Sequence, residues 1–171
     1  MTLGEILEAR EERWRKKCAL SKETENGAVV SLTLRMPSDI RVTEKAKKLF
    51  LLSKAQLEDV LKKEYSCVRL EAEADSFDGP YAIWRVSGDA ERIKKACMRF
   101  EEDTAPGAFT DADVMIKGGS EISRLEAGGS DRKCLVCLKN ARECILLKTH
   151  SREETLSAVS EKIDQLLLER V

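Results

Sequence analysis

The chain has 171 residues, 30 of them Lys or Arg and 31 Asp or Glu, for a formal net charge of -1. A 42% hydrophobic fraction with only 3 Pro excludes a wholly disordered or collagen-like chain, and the charge balance lacks the basic excess of a nucleic-acid binder. No apolar run approaches the roughly 18 residues of a membrane span, and the first nine residues carry Glu5 and Glu8 in place of a signal run; a cytoplasmic protein is expected, whose six cysteines are thiols or metal ligands rather than disulfides.

Thr2 and Glu5 have capping-box spacing and Leu3, Ile6 and Leu7 follow at helical spacing, which predicts a helix over 3–18 with a charged outer face. Val29 to Arg35 alternates, Val30, Leu32 and Leu34 against Ser31, Thr33 and Arg35, which predicts a strand with one polar face. Thr43 then caps a helix to about residue 63 along Ala46, Leu49, Phe50, Ser53, Leu57 and Val60. Cys67 to Glu73 reads as a second strand, Asp75 to Pro80 as a turn and Tyr81 to Val86 as a third strand. Ser87 or Asp89 caps a helix burying Ile93, Ala96, Cys97 and Phe100. Asp111 to Lys117 is a fourth strand, Gly118-Gly119 a hairpin turn, and about 152–170 a last helix.

Strand, helix, strand, strand, helix, strand is the split β-α-β order. The expected fold is therefore α+β, a four-stranded, mostly antiparallel sheet with a ferredoxin-like core and added helices at the N- and C-termini. One domain spans 1–171, with its core at 28–117 and a cysteine-containing extension at 118–171. Trp14 and Trp84 are expected to pack in the core.

Three constellations carry chemistry. Asp111 and Asp113 share a strand face opposite Ala112 and Val114. Close carboxylates repel unless a proton or cation intervenes, so the pair suits magnesium and phosphate oxygens; a solvated strand end neutralised by Lys117 has the same spacing. Cys134-x2-Cys137-x6-Cys144-x5-His150 offers three thiolates and the only imidazole in the chain, a candidate zinc set. Packed cysteines or redox thiols fit that spacing too. The third constellation is a supply of cations suited to phosphate, among them Arg10, Arg13, Arg35, Arg41 and Arg124.

Taken in order, Gly107-x3-Asp111-x-Asp113-Val114, Ile122-Ser123-Arg124, Arg132-x-Cys134-Leu135-x-Cys137-x3-Ala141-x2-Cys144 and Lys148-Thr149-His150 resemble the citrate lyase holo-acyl-carrier-protein synthases. This is the apo-citrate lyase phosphoribosyl-dephospho-CoA transferase family. Leu7-x2-Arg10-x2-Arg13 and the stretch from Val30 to Arg41 resemble its N-terminal half more loosely. The resemblance implies a nucleotidyltransferase that attaches the prosthetic group from 2'-(5''-triphosphoribosyl)-3'-dephospho-CoA to a serine of the citrate lyase acyl carrier subunit, releasing pyrophosphate. It implies magnesium at Asp111 and Asp113, a catalytic Arg124, and phosphate binding by Arg10, Arg13, Arg35 and Arg41. No membrane or nucleic-acid partner is implied. Ala108 and Ile145 stand where the family usually has Arg, so either Arg35, Arg41 or Lys117 supplies the charge missing at 108, or the donor differs, or catalysis has been lost. The competing readings are a non-catalytic partner of a carrier protein or lyase complex, and a small zinc-stabilised binding domain. A basic docking face for a carrier is sought at Lys94-Lys95 and at Lys45, Lys47 and Lys48.

Overall fold

The computed structural model describes residues 2–169; the expected last-helix end at 170 lies outside them. Helix α1 spans Leu3–Glu23, and its Thr2–Glu5 capping box forms as expected. Strand β1 (Gly27–Leu34), a short helix α2 (Ser38–Arg41), helix α3 (Glu44–Glu64), strands β2 (Val68–Ser76) and β3 (Gly79–Ser87), helix α4 (Ala90–Asp103) and strand β4 (Thr110–Met115) complete the core. Helices α5 (Ala141–Leu146) and α6 (Arg152–Leu168) follow. The strand order is β2-β3-β1-β4 and every neighbouring pair is antiparallel. That is the ferredoxin-like arrangement anticipated, because each strand-helix-strand crossover leaves room for another strand between its ends.

The main core lies on one sheet face. Val30, Leu32, Trp84, Ala112 and Val114 meet Leu49, Phe50 and Leu57 of α3, Ile93 and Phe100 of α4, and Val159 and Ile163 of α6. Among the described residues no helix is long and apolar enough to cross a membrane.

The opposite sheet face is covered as well, by the added N-terminal helix. Cys18 and Leu20 of α1 pack on Val29, Tyr81, Ile83 and Met115. The side of α1 that meets the sheet is largely polar: Ala9, Lys17 and Ser21 are its buried residues, while Leu3 and Leu7 are exposed. A charged stripe can face inward here because it meets carboxylates rather than a hydrocarbon layer. Trp84 is fully buried as expected, whereas Trp14 is 42% exposed with Lys17 against its ring. Trp14 belongs to the outer side of the helix that is tethered by its polar face.

Two glycines are dictated by close approach. A Cβ at Gly107 would lie 2.1 Å from the Phe100 carbonyl oxygen, so the turn feeding β4 can pass this close to α4 only as glycine. Gly79 has φ +94 in the β2–β3 hairpin, and a Cβ there would meet the Arg41 side chain at 2.5 Å.

Candidate active site

A cleft of about 860 Å³ opens on the polar side of the sheet. Its floor comes from β1 and β4, where antiparallel register sets Thr33 opposite Asp111 and Ser31 opposite Asp113. Asp111 and Asp113 both line it, while Ala112 and Val114 point the other way into the core. The period-two inference therefore places this pair correctly.

The carboxylates are not free of company. Asp111 accepts from Arg132 at 2.5 Å, and Asp113 lies 3.5 Å from Lys17, which also pairs with Glu121. Burial pushes the Asp113 carboxyl up to about 6, and nearby Asp111 and Glu121 add to the rise against the opposing Lys17. This acidic group is therefore incompletely neutralised by the chain's own cations, the condition that a bound cation relieves.

The near wall is α1 and the β2–β3 hairpin. Arg10 and Arg13 are three residues apart on one helix face, so both reach the same point. That point is Asp78, whose carboxylate accepts from Arg10 and Arg13 at 3.0 Å each and pairs with Arg41. Arg41 also donates to the Met36 carbonyl at 2.8 Å, tying the α2 segment to the hairpin. Burial alone would raise the Asp78 pKa, but Arg10, Arg41 and Arg13 outweigh it and hold the carboxyl below its ordinary range. One carboxylate thus gathers three guanidinium groups into a cationic wall. Arg13 Nη1 is buried there with no partner among the described residues, a donor still available to an anion.

Arg35 lies at the end of β1 and spans to the Ala108 and Lys133 carbonyls at 3.0 and 3.2 Å. It therefore sits against the position where the resemblance lacked an arginine. Lys117 instead pairs with Glu25 and does not line the cleft. The far wall is the cysteine lobe with the start of α6, contributing Lys148 and Arg152. Six cationic side chains, Arg10, Arg13, Arg35, Arg41, Lys148 and Arg152, line the cleft with only three carboxylates, Asp78, Asp111 and Asp113. Such a surplus favours a polyanionic ligand.

Arg124 is the expected site residue that the structure does not bring here. Its guanidinium pairs with Glu101 and Glu102 and lines a neighbouring cavity instead. Glu101 is the organiser of that corner. Its buried carboxylate accepts from the Ala112 amide at 2.6 Å and from Arg132 at 3.1 Å, and so presents Arg132 to Asp111. Sequence reasoning missed Asp78, Glu101 and Glu121.

In the lobe, the ligand atoms of Cys134, Cys137, Cys144 and His150 all lie within 4.8 Å of one another. Cys137 and Cys144 sulfurs are 3.5 Å apart, near the roughly 3.8 Å that tetrahedral Zn–S bonds of about 2.3 Å imply. Burial and the adjacent Cys137 and Cys134 push the Cys144 thiol up to about 11. Burial works in the same direction at Cys134, but the Cys137 and Val136 amides overcome it and favour the thiolate. His150 Nε2 is buried without a hydrogen-bond partner among the described residues. The set is a candidate metal site. Cys97 is buried in the main core, and Cys18 and Cys67 stand apart from the lobe.

The profile of the family described as apo-citrate lyase phosphoribosyl-dephospho-CoA transferase matches residues 1–166. The chain belongs to that family. A relative in Streptococcus pyogenes serotype M3, a probable apo-citrate lyase phosphoribosyl-dephospho-CoA transferase, is 30% identical over 92% of this chain and 83% of its own length. The Citrobacter koseri transferase is 29% identical over 91% of this chain and 85% of its own length. The protein CitXG of Leuconostoc mesenteroides subsp. cremoris is 28% identical over 95% of this chain, which spans only 35% of that protein. The family is named for a transferase acting on apo-citrate lyase, and the cleft's chemistry suits a phosphorylated donor. The cysteine lobe, read from spacing alone, forms part of that cleft's wall through Cys134, Cys144 and His150.

Proposed function

We propose that this cleft transfers the phosphoribosyl-dephospho-CoA group of 2'-(5''-triphosphoribosyl)-3'-dephospho-CoA to a serine of the citrate lyase acyl carrier subunit. The observation that carries the reading is the carboxylate pair on the floor of a cleft whose walls are cationic. The serine oxygen attacks the phosphorus nearest the ribose. The bond from that phosphorus to its outer bridging oxygen breaks, and pyrophosphate leaves. Arg10, Arg13 and Arg41 hold the departing phosphates, and Arg35 steadies the phosphoryl group that stays. A carboxylate of the Asp111–Asp113 pair takes the serine proton. Magnesium, which Asp111 and Asp113 would hold, supplies Lewis-acid stabilisation of the phosphate charge. Incubation of the apo carrier with donor and magnesium is expected to raise the intact carrier mass by the transferred group, with equimolar pyrophosphate and loss of both on adding EDTA. An unmodified carrier, under conditions in which the Citrobacter koseri relative modifies it, overturns the reading and leaves the non-catalytic partner.

We further propose zinc at Cys134, Cys137, Cys144 and His150. Four protein ligands leave no open position, so the ion is structural and holds Lys148 and Arg152 against the cleft. Elemental analysis of reduced protein is expected to find one zinc per chain. Strong chelation is expected to lower the melting temperature and expose the lobe to protease; protein that is zinc-free yet unchanged by chelation refutes the assignment.

A further inference from the structure

The stretch after Cys144 is built unlike the rest of the surface. Cys144 turns inward to the candidate metal site, and Ile145, Leu146 and Leu147 that follow are 76%, 72% and 77% exposed. Leu138, at the lobe's tight turn with φ 64, is 66% exposed. Three consecutive large apolar side chains facing water are unusual on a surface that needs no partner. The rim has a sign of its own. Between Leu138 and Lys148, Lys139, Arg142 and Lys148 face one acid, Glu143, in a chain that is slightly acidic overall. All three cations are exposed and enter no ion pair among the described residues.

We propose that Leu138, Ile145, Leu146 and Leu147, ringed by Lys139, Arg142 and Lys148, form the docking surface for the protein acceptor, which presents an apolar contact bordered by acidic side chains. The inference rests on reading the cleft as the site of transfer to a serine. That serine must come within bonding distance of the donor above Asp111 and Asp113, so the body of the acceptor must rest on the cleft rim. Ile145 is both cleft wall and first member of the patch, whereas Leu146 and Leu147 lie outside the cleft. A protein seated on the rim covers them together with Ile145. Three of the five basic candidates from the sequence are engaged within the fold. Lys94 is buried and donates to the Ala112 carbonyl at 3.0 Å, Lys45 pairs with Asp164, and Lys47 pairs with Asp75 and Glu44.

The test is a Leu146→Ser/Leu147→Ser double variant of the full chain, with Lys139→Glu/Arg142→Glu as a second that leaves the apolar residues in place. Metal content and melting temperature check that each is folded. With the apo acyl carrier subunit as probe, both variants are expected to raise the dissociation constant and the carrier KM at least tenfold. The donor KM and kcat are expected to stay unchanged, and the charge reversal to weaken binding most at low salt. Carrier binding and KM equal to wild type in both folded variants overturn the proposal, as does a wild-type dimer that the serine variant dissociates without altering carrier affinity. Binding that is lost in the variants while the wild type binds but transfers nothing supports the docking surface and refutes the transfer reading alone. Wild-type protein that does not bind the carrier refutes the docking surface.

Discussion

Replacing Asp113 with asparagine is expected to abolish group transfer, at least a 10³-fold loss in kcat, while leaving the protein as stable as before or more so. The two halves share one cause. Burial and Asp111 hold the Asp113 pKa up at about 6, so its charge is disfavoured in the folded state compared with the unfolded chain. The folded state then binds the proton more tightly than the unfolded one. Proton uptake by Asp113 favours folding at pH values below about 6, and that contribution is lost as pH rises through this value. Asparagine imitates the protonated form at every pH. In EDTA, the variant should melt no lower than wild type at pH 7.5 and should lack the wild type's gain on moving toward pH 5.5. Asp111→Asn is expected to lose activity comparably, but to cost stability, because it frees Arg132 from a 2.5 Å partner. A variant at position 113 that retains transfer, judged by carrier mass, removes the acidic pair from the mechanism.

The elements most legible in the sequence are those whose signal is local. Period-two alternation located β1 and β4, including the face of Asp111 and Asp113, because a strand's geometry determines which side each residue takes. Capping residues located the starts of α1 and α3 to within a residue, and for α4 the structure selects Asp89 over Ser87 as the cap. What was hidden depends on pairing across long separations. Asp78 reads as one more polar residue of the Asp75 to Pro80 turn, and it does sit in the two-residue turn between β2 and β3. Its second role as partner of Arg10 and Arg13, more than sixty residues away, leaves no trace in local pattern. The same holds for α1, whose Leu3, Ile6 and Leu7 suggested an apolar inner face while its charged stripe was the one needed inside. The sequence pointed to Arg124 beside the acidic pair and not to Arg132; Glu101, held under β4 by the Ala112 amide, pairs with both, and it is Arg132 that reaches Asp111.

Asp78→Ala is expected to be the most destabilising single change in the cleft. It leaves Arg10, Arg13 and Arg41 facing one another without the carboxylate that joins them, whose own side chain is only 2% exposed although Arg10 reaches the open cleft at 50% exposure. Removing one partner from a buried ion network costs about 3 kcal/mol or more, equivalent to a melting temperature lower by about 6–12 °C for a chain of this size. In the wild type the Asp78 contribution is present at neutral pH and lost only as pH falls below the ordinary carboxylate range, since its folded pKa is depressed. The decisive measurement is rescue by pyrophosphate. If the three guanidinium groups are the phosphate clamp, an anion substitutes for the missing carboxylate, and pyrophosphate should raise the melting temperature of the variant by more than it raises that of the wild type. The donor KM should still rise at least tenfold, because the arginines are then gathered by the ligand instead of being positioned beforehand. Destabilisation with no added response to pyrophosphate would mean that Asp78 and its arginines serve only to fasten α1 and α2 to the β2–β3 hairpin, and that the phosphates are held on the opposite wall by Lys148 and Arg152.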